Sequence, residues 1–126
     1  MKSKQVPIYT GYFSKIKSYI EDGLFPICIA RGVPKFINEI VTYNPLFPPW
    51  ELIDMYKKTG DINKYTEIYN NNVLSRLSKN RVYVDLISIS SGEPVILLCW
   101  ENPNSFCHRQ LVAKWLNDVC KVTEYK

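Results

Sequence analysis

The sequence predicts an α/β fold: a short, mostly parallel Rossmann-like sheet with helices on both faces and a helical insertion. Three observations predict it. Two apolar runs, Val6 to Thr10 and Phe25 to Ala30, flank a helical pattern. Strand, helix, strand in about 25 residues is the size of a βαβ unit and implies parallel pairing. A third run, Val95 to Cys99, again leads into a helical pattern. The unbroken apolar character of these runs suits strands covered on both faces.

The elements follow in order. Val6-Pro7-Ile8-Tyr9-Thr10 reads as the first strand, with a turn at Gly11. Phe13, Ile16 and Ile20 recur at helical spacing, with Lys15 and Lys17 on the other face and a stop at Asp22-Gly23. The second strand, Phe25 to Ala30, ends at Arg31-Gly32. Phe36, Ile37, Ile40 and Val41 are then spaced for a short helix, while Pro45, Pro48 and Pro49 force an irregular segment. Trp50 to Lys58 reads as a helix ending at Gly60. Asp61 is placed to cap the next one, whose apolar stripe is Tyr65, Ile68, Tyr69, Val73 and Leu77. Arg81 to Ser90 fits neither period well; a helix is preferred because Ser91-Gly92 then ends it just before the third strand. The last helix is expected from about Phe106 to Val119, burying Leu111, Val112, Trp115, Leu116 and Val119. Lys121 to Lys126 either frays or adds an edge strand.

At 126 residues, residues 1–126 are expected to form one α/β domain. With 46% hydrophobic and 22% charged residues the chain lies in the ordinary globular range. No apolar run approaches membrane-spanning length, so no membrane partner is expected. Met1 to Gln5 lead into the first strand without an apolar signal region, which points to the cytoplasm. In that reducing compartment the four cysteines, Cys28, Cys99, Cys107 and Cys120, are read as free thiols. The net charge of +4 is scattered rather than blocked, which ranks a nucleic-acid partner below a small ligand or a protein.

The residues that carry chemistry lie where strands end. In an open α/β sheet, ligands bind beyond the carboxyl ends of the strands. Three such ends carry Thr10-Gly11-Tyr12, Arg31-Gly32 and Cys99-Trp100-Glu101, and the third leads to Cys107-His108-Arg109. Arg31 and Arg109 suit a phosphate or carboxylate, and Arg31 serves equally well as a loop cap. Gly11 and Gly32 allow close backbone approach or positive φ, without forming a dinucleotide or Walker pattern. Cys107 falls in the first turn of the last helix, where the dipole would activate a thiol. It also shares a face with Leu111 and Trp115, so a plain buried role comes first. Adjacent helical residues do not face each other, so a direct Cys107–His108 pair is not expected. Glu101 is the natural partner for His108, or a salt-bridge partner for Arg109. Tyr12, Tyr43, Tyr65 and Tyr69 are candidates for stacking on a base. Cys28, Cys99, Cys107 and His108 offer four metal ligands but show no CxxC or knuckle spacing, so no metal and no other cofactor is expected.

Tyr9-Thr10-Gly11-Tyr12, Ala30-Arg31-Gly32-Val33-Pro34 and Cys99-x-Glu101 followed by Cys107-His108-Arg109 together resemble the domain of unknown function 488 family. The first is similar to a TIGYS-type opening, the second to a DVRxxP segment, the third to a CxE…CHR signature. The likeness runs from residue 9 to about residue 116. It implies a small α/β fold with these motifs around one pocket, in a family common in bacteria and their phages, and it assigns no activity. The chain departs from the pattern at Ile29-Ala30, where the family's Asp-Val would stand. An acid before Arg31 is therefore lacking, and Glu101 would have to serve alone. The Asn and Lys bias also suits a low-GC bacterium or its phage.

Two functions follow, and the sequence leaves open which holds and whether the protein is an enzyme. In the first, a polar pocket at the strand ends binds or acts on a small anionic or nucleotide-like ligand. Thr10, Gly11, Tyr12, Arg31 and Arg109 would bind it, and Glu101, Cys107 and His108 would do any chemistry. In the second, the protein is an interaction or accessory module. The CxE…CHR residues are then structural, and the Pro45 to Trp50 segment with Phe47 is the adhesive surface.

Overall fold

The computed structural model describes residues 6–37, 39–100 and 106–125. Five strands pair in parallel: β1 (Ile8–Tyr12), β2 (Phe25–Cys28), β3 (Val41–Thr42), β4 (Val95–Cys99) and β5 (Val122–Glu124). Their order across the sheet is β3-β2-β4-β1-β5, so the carboxyl ends of β2, β4 and β1 lie side by side.

The apolar runs alternate between two cores, as period-2 geometry requires. Ile8, Ile27, Ile29, Val95 and Leu97 face the larger core. Helices α3 (Ile62–Asn72), α4 (Lys79–Ser90) and α5 (His108–Leu116) cover it with Tyr65, Tyr69, Val82, Leu86, Val112 and Leu116. Cys28, Ala30, Ile96 and Leu98 face the smaller core. There a 3-10 turn at Phe13–Lys15 and the short α1 (Ile16–Glu21) supply Phe13, Ile16 and Tyr19. Helices thus cover both faces, as the strand composition predicts.

The insertion between β2 and β4 holds β3, α2 (Trp50–Thr59), α3 and α4. Gly60 closes α2 at φ 65°, a left-handed conformation in which a Cβ would be strained. Asp61 caps α3, its carboxylate accepting the Lys64 N–H at 3.0 Å. Ser78 caps α4 in the same way through the Arg81 N–H. Arg81 to Ser90 is helical, with Ser91 and Gly92 at positive φ ending it. Among the described residues no helix is long and apolar enough to cross a membrane.

Four expectations are corrected. The first helix buries Tyr19, not Ile20, which is 54% exposed; a tyrosine hydroxyl with a partner is as good a core residue as an isoleucine. Val41 is not helical but pairs with Ile27 in β3, a strand too short to show alternation. The first strand is shifted to Ile8–Tyr12, so Gly11 lies inside it and makes no turn. The last helix begins at His108 and ends at Leu116, and its buried line is His108, Arg109, Val112 and Leu116, with Leu111 and Trp115 only partly covered. The segment after it forms the edge strand β5.

Gly11 is required for a close approach rather than for its φ. A Cβ there would stand 2.6 Å from Tyr19 Oη and 2.9 Å from Ile96 Cδ1. Tyr19 is held in place because its hydroxyl accepts the Tyr12 N–H at 3.3 Å. Gly11→Ala is therefore expected to destabilise the fold by about 1–3 kcal/mol, the usual cost of overpacking. Urea unfolding checks this, and a loss below about 0.5 kcal/mol would mean that Tyr19 moves aside freely.

Candidate functional site

Beyond the ends of β2 and β4 lies a cavity of about 720 Å³. Its walls come from the residues following β2 (Ala30, Arg31, Gly32), the end of β4 (Cys99, Trp100) and the start of α5 (Phe106, Cys107, His108). Pro48, Trp50, Ile53, Tyr56, Lys57, Gly60 and Tyr65 close the side formed by the insertion.

One wall is aromatic. Tyr56, Tyr65 and Phe106 meet edge to face or tilted, with centroids 5.2–5.6 Å apart. Trp100 stands opposite β2, its indole N–H donating to Gly32 O at 3.0 Å and its ring edge-on to Phe13. Arg31 lies at the mouth. Its Nε donates to Pro48 O at 2.7 Å, and its guanidinium sits over the rings of Phe47 (5.9 Å) and Trp50 (5.6 Å). The terminal nitrogens have no hydrogen-bond partner among the described residues. In the Pro45 to Trp50 segment Leu46 and Pro48 are buried and Phe47 is half-buried, while Trp50 lines the cavity and is 56% exposed.

The floor is Cys99, Cys107 and His108, all buried. Cys107 is the N-cap of α5 in extended conformation (φ −148°, ψ 150°), not a first-turn residue. Helical side-chain directions do not apply at a cap, so its Sγ comes within 3.6 Å of His108 Nδ1. The expectation that these neighbours would not meet is corrected on that ground. Cys99 and Cys107 are joined as a disulfide, which corrects the reading of both as free thiols. The end of β4 and the cap of α5 are brought together although eight residues separate them in sequence. Cys28 and Cys120 are free and buried, and burial pushes the Cys120 thiol up to about 11.

His108 Nε2 lies 2.6 Å from Ile29 O, and Tyr69 packs edge-on to the ring at 5.6 Å. Burial lowers its pKa to about 4; the Ile29 contact opposes the shift and the nearby Arg109 charge adds to it. The imidazole is therefore neutral at pH 7. The donor atoms of Cys99, Cys107 and His108 lie within 4.8 Å of one another. These three could hold a metal ion. Cys28 is not among them; its thiol donates to Ala30 O.

The remaining candidates form a second cluster beside this floor. Arg109 is fully buried and makes a two-pronged pair with Glu124, Nε to Oε1 and Nη2 to Oε2 both at 3.1 Å. Its Nη1 donates to Cys99 Sγ at 3.0 Å, and the guanidinium lies 6.0 Å from the Tyr12 ring centre. Thr10 Oγ1 donates to Glu124 Oε1 at 2.6 Å. The structure thus brings Arg31, Cys107 and His108 to the cavity and gathers Thr10 and Tyr12 beside the Arg109–Glu124 pair. Gly11 sits inside β1 under Tyr19. Glu101 lies outside the described residues. Of the tyrosines named for stacking, only Tyr65 lines the cavity; the hydroxyls of Tyr43 and Tyr69 are bonded to Asp85 and to Leu46 O. Sequence reasoning missed Glu124, Tyr56, Lys57 and Phe106 as site residues. The i, i+3, i+4 spacing of Ile53, Tyr56 and Lys57 on α2 was the available signal for that wall.

These observations define a class: a parallel α/β protein with a cysteine-and-histidine cluster at the strand ends, floored by the start of its last helix. The chain belongs to the DUF488 family, since the family model DUF488-N3a, described as the active DUF488-N3 subclade, matches residues 16–119. No match was found among curated proteins or among solved structures.

With a chelator present, the unfolded chain binds more protons than the folded one between the ordinary histidine value near 6.5 and about 4. Stability should therefore fall as pH drops through that window, by up to roughly 3 kcal/mol from His108. Urea titrations at pH 7 and pH 4.5 should show a smaller fall in His108→Gln than in wild type; equal falls would contradict the assignment. Glu124→Gln removes the carboxylate charge facing a buried guanidinium and should cost about 2–3 kcal/mol. This is somewhat below the value for a fully buried pair, because the Glu124 side chain is 27% exposed. A loss under about 0.5 kcal/mol by the same method would show the pair to be solvated.

Proposed function

We propose that the cavity binds, or acts on, a small anionic ligand of nucleotide-like chemistry. The observation that carries this reading is Arg31. A guanidinium fixed through Nε to Pro48 O, over two rings, keeps its terminal nitrogens for an anion at the cavity mouth. Lys57 adds a second cation to the lining. The Tyr56, Tyr65 and Phe106 wall offers π-faces and edges to a planar group, the other half of nucleotide recognition. The volume of about 720 Å³ lies within the range of small-molecule sites. A ligand seated this way places its far end over Cys107 and His108, where any chemistry would occur. The description of the matching subclade as active accords with a working site there. Thr10, Tyr12 and Arg109 support the floor from behind in this reading instead of touching the ligand.

A thermal-shift panel of nucleosides, nucleotides, sugar phosphates and short DNA tests it. A nucleotide or sugar phosphate should raise the melting temperature, since a ligand at a hundred times its Kd stabilises by about 2.7 kcal/mol. Arg31→Ala, a change at an exposed position, should weaken that ligand about tenfold, the worth of one charge-assisted hydrogen bond. A silent panel, or a shift identical in Arg31→Ala, would refute the reading.

A further inference from the structure

We propose that Cys99, Cys107 and His108, with the two cysteines reduced, form a binding site for a zinc-type divalent ion whose fourth position opens into the cavity. The proposal adds a metal centre to the floor of the cavity and does not depend on which organic ligand the cavity takes.

The histidine carries the argument furthest. A carbonyl oxygen only accepts, so the 2.6 Å contact with Ile29 O puts the ring proton on His108 Nε2. Nδ1 is then left with its lone pair, and it is the nitrogen that faces Cys107 Sγ at 3.6 Å. A ligating histidine almost always donates its other N–H to a carbonyl or carboxylate, which fixes both tautomer and ring. Here Tyr69 adds a packing contact that holds the ring in that orientation.

The thiols complete the set. All three donor atoms lie within 4.8 Å of one another, close enough to share one ion. The Cα atoms of Cys99 and Cys107 stand 7.2 Å apart, wide enough for the reduced sulfurs to open around it. Arg109 Nη1, donating to Cys99 Sγ at 3.0 Å, stabilises that sulfur as a thiolate and offsets the charge of a dithiolate site.

The donor set selects the metal class. Two thiolates and an imidazole suit borderline-soft zinc over calcium or magnesium, which prefer oxygen. Among the described residues three protein ligands meet, and three ligands with an open position is the arrangement of catalytic zinc rather than structural zinc. Because Cys99, Cys107 and His108 all line the cavity, the open position faces its interior. An ion there would act as a Lewis acid on an oxygen of a bound ligand or on water. The joined and metal-bound states exclude each other, since the disulfide uses both sulfurs.

Cobalt titration of the chelator-stripped, fully reduced protein is the test. Wild type should develop thiolate-to-cobalt charge-transfer and tetrahedral d–d bands that saturate at one ion per chain and disappear on adding zinc. Cys28→Ser and Cys120→Ser should keep these bands, and Cys107→Ser should lose them. Absence of the charge-transfer band in reduced wild type overturns the proposal, as does its survival in Cys107→Ser or its loss in Cys120→Ser. If Cys107→Ser does not fold, wild type oxidised to the Cys99–Cys107 disulfide takes its place: silence supports the site and a persisting band overturns it. No organic ligand enters the titration, so its failure is distinct from failure of the nucleotide-like reading.

Discussion

Arg109 is a fully buried guanidinium, and the carboxyl edge of the sheet is organised around satisfying it. Desolvating such a charge is tolerable only where opposite charge and hydrogen bonds meet it with good geometry. Its neighbours come from four elements: Cys99 at the end of β4, Tyr12 at the end of β1, Glu124 on β5, and α5 itself. Thr10 extends the network by donating to the same carboxylate. One side chain thereby fixes the last helix against three strands. The next residue toward the N-terminus, His108, and the cap, Cys107, take their places in the cavity floor as a result. The supporting arginine and the two floor residues are consecutive in sequence and divided between two clusters in space.

Much of this fold is legible in the residues. Val95 to Cys99 reads as a buried strand because five apolar residues in a row suit only a sheet covered on both faces, and all five are buried. Asp61 reads as a cap because a short acceptor three residues ahead of a free N–H has one good use, and it accepts from Lys64. The three strand ends that carry Tyr12, Arg31 and Cys99 are adjacent as parallel pairing demands.

What is not legible depends on contacts without a period. Ile37, Ile40 and Val41 match helical spacing, but one hydrogen-bonded neighbour, β2, draws Val41 into the sheet. Cys107 falls one residue outside its helix, and that residue decides whether its thiol joins an apolar stripe or turns to His108. Cys99 and Cys107 share no scaffold or zinc spacing because strand and helix, not a short knuckle, bring them together. Glu124 sits in a segment whose composition suits fraying as well as pairing; the contacts that seat it, with the buried arginine and through Val122 and Tyr125, are all long-range. The aromatic wall is hidden similarly, since Tyr56 and Tyr65 belong to different helices and meet only when these pack.

The position of β5 also makes the edge strand a condition for the cavity floor. Glu124 lies on β5, fifteen residues beyond the arginine it neutralises. A buried guanidinium that loses its carboxylate is strongly destabilised. Fraying of β5 would therefore loosen α5 and, with it, the seats of His108 and Cys107, so the edge of the sheet and the floor of the cavity stand or fall together.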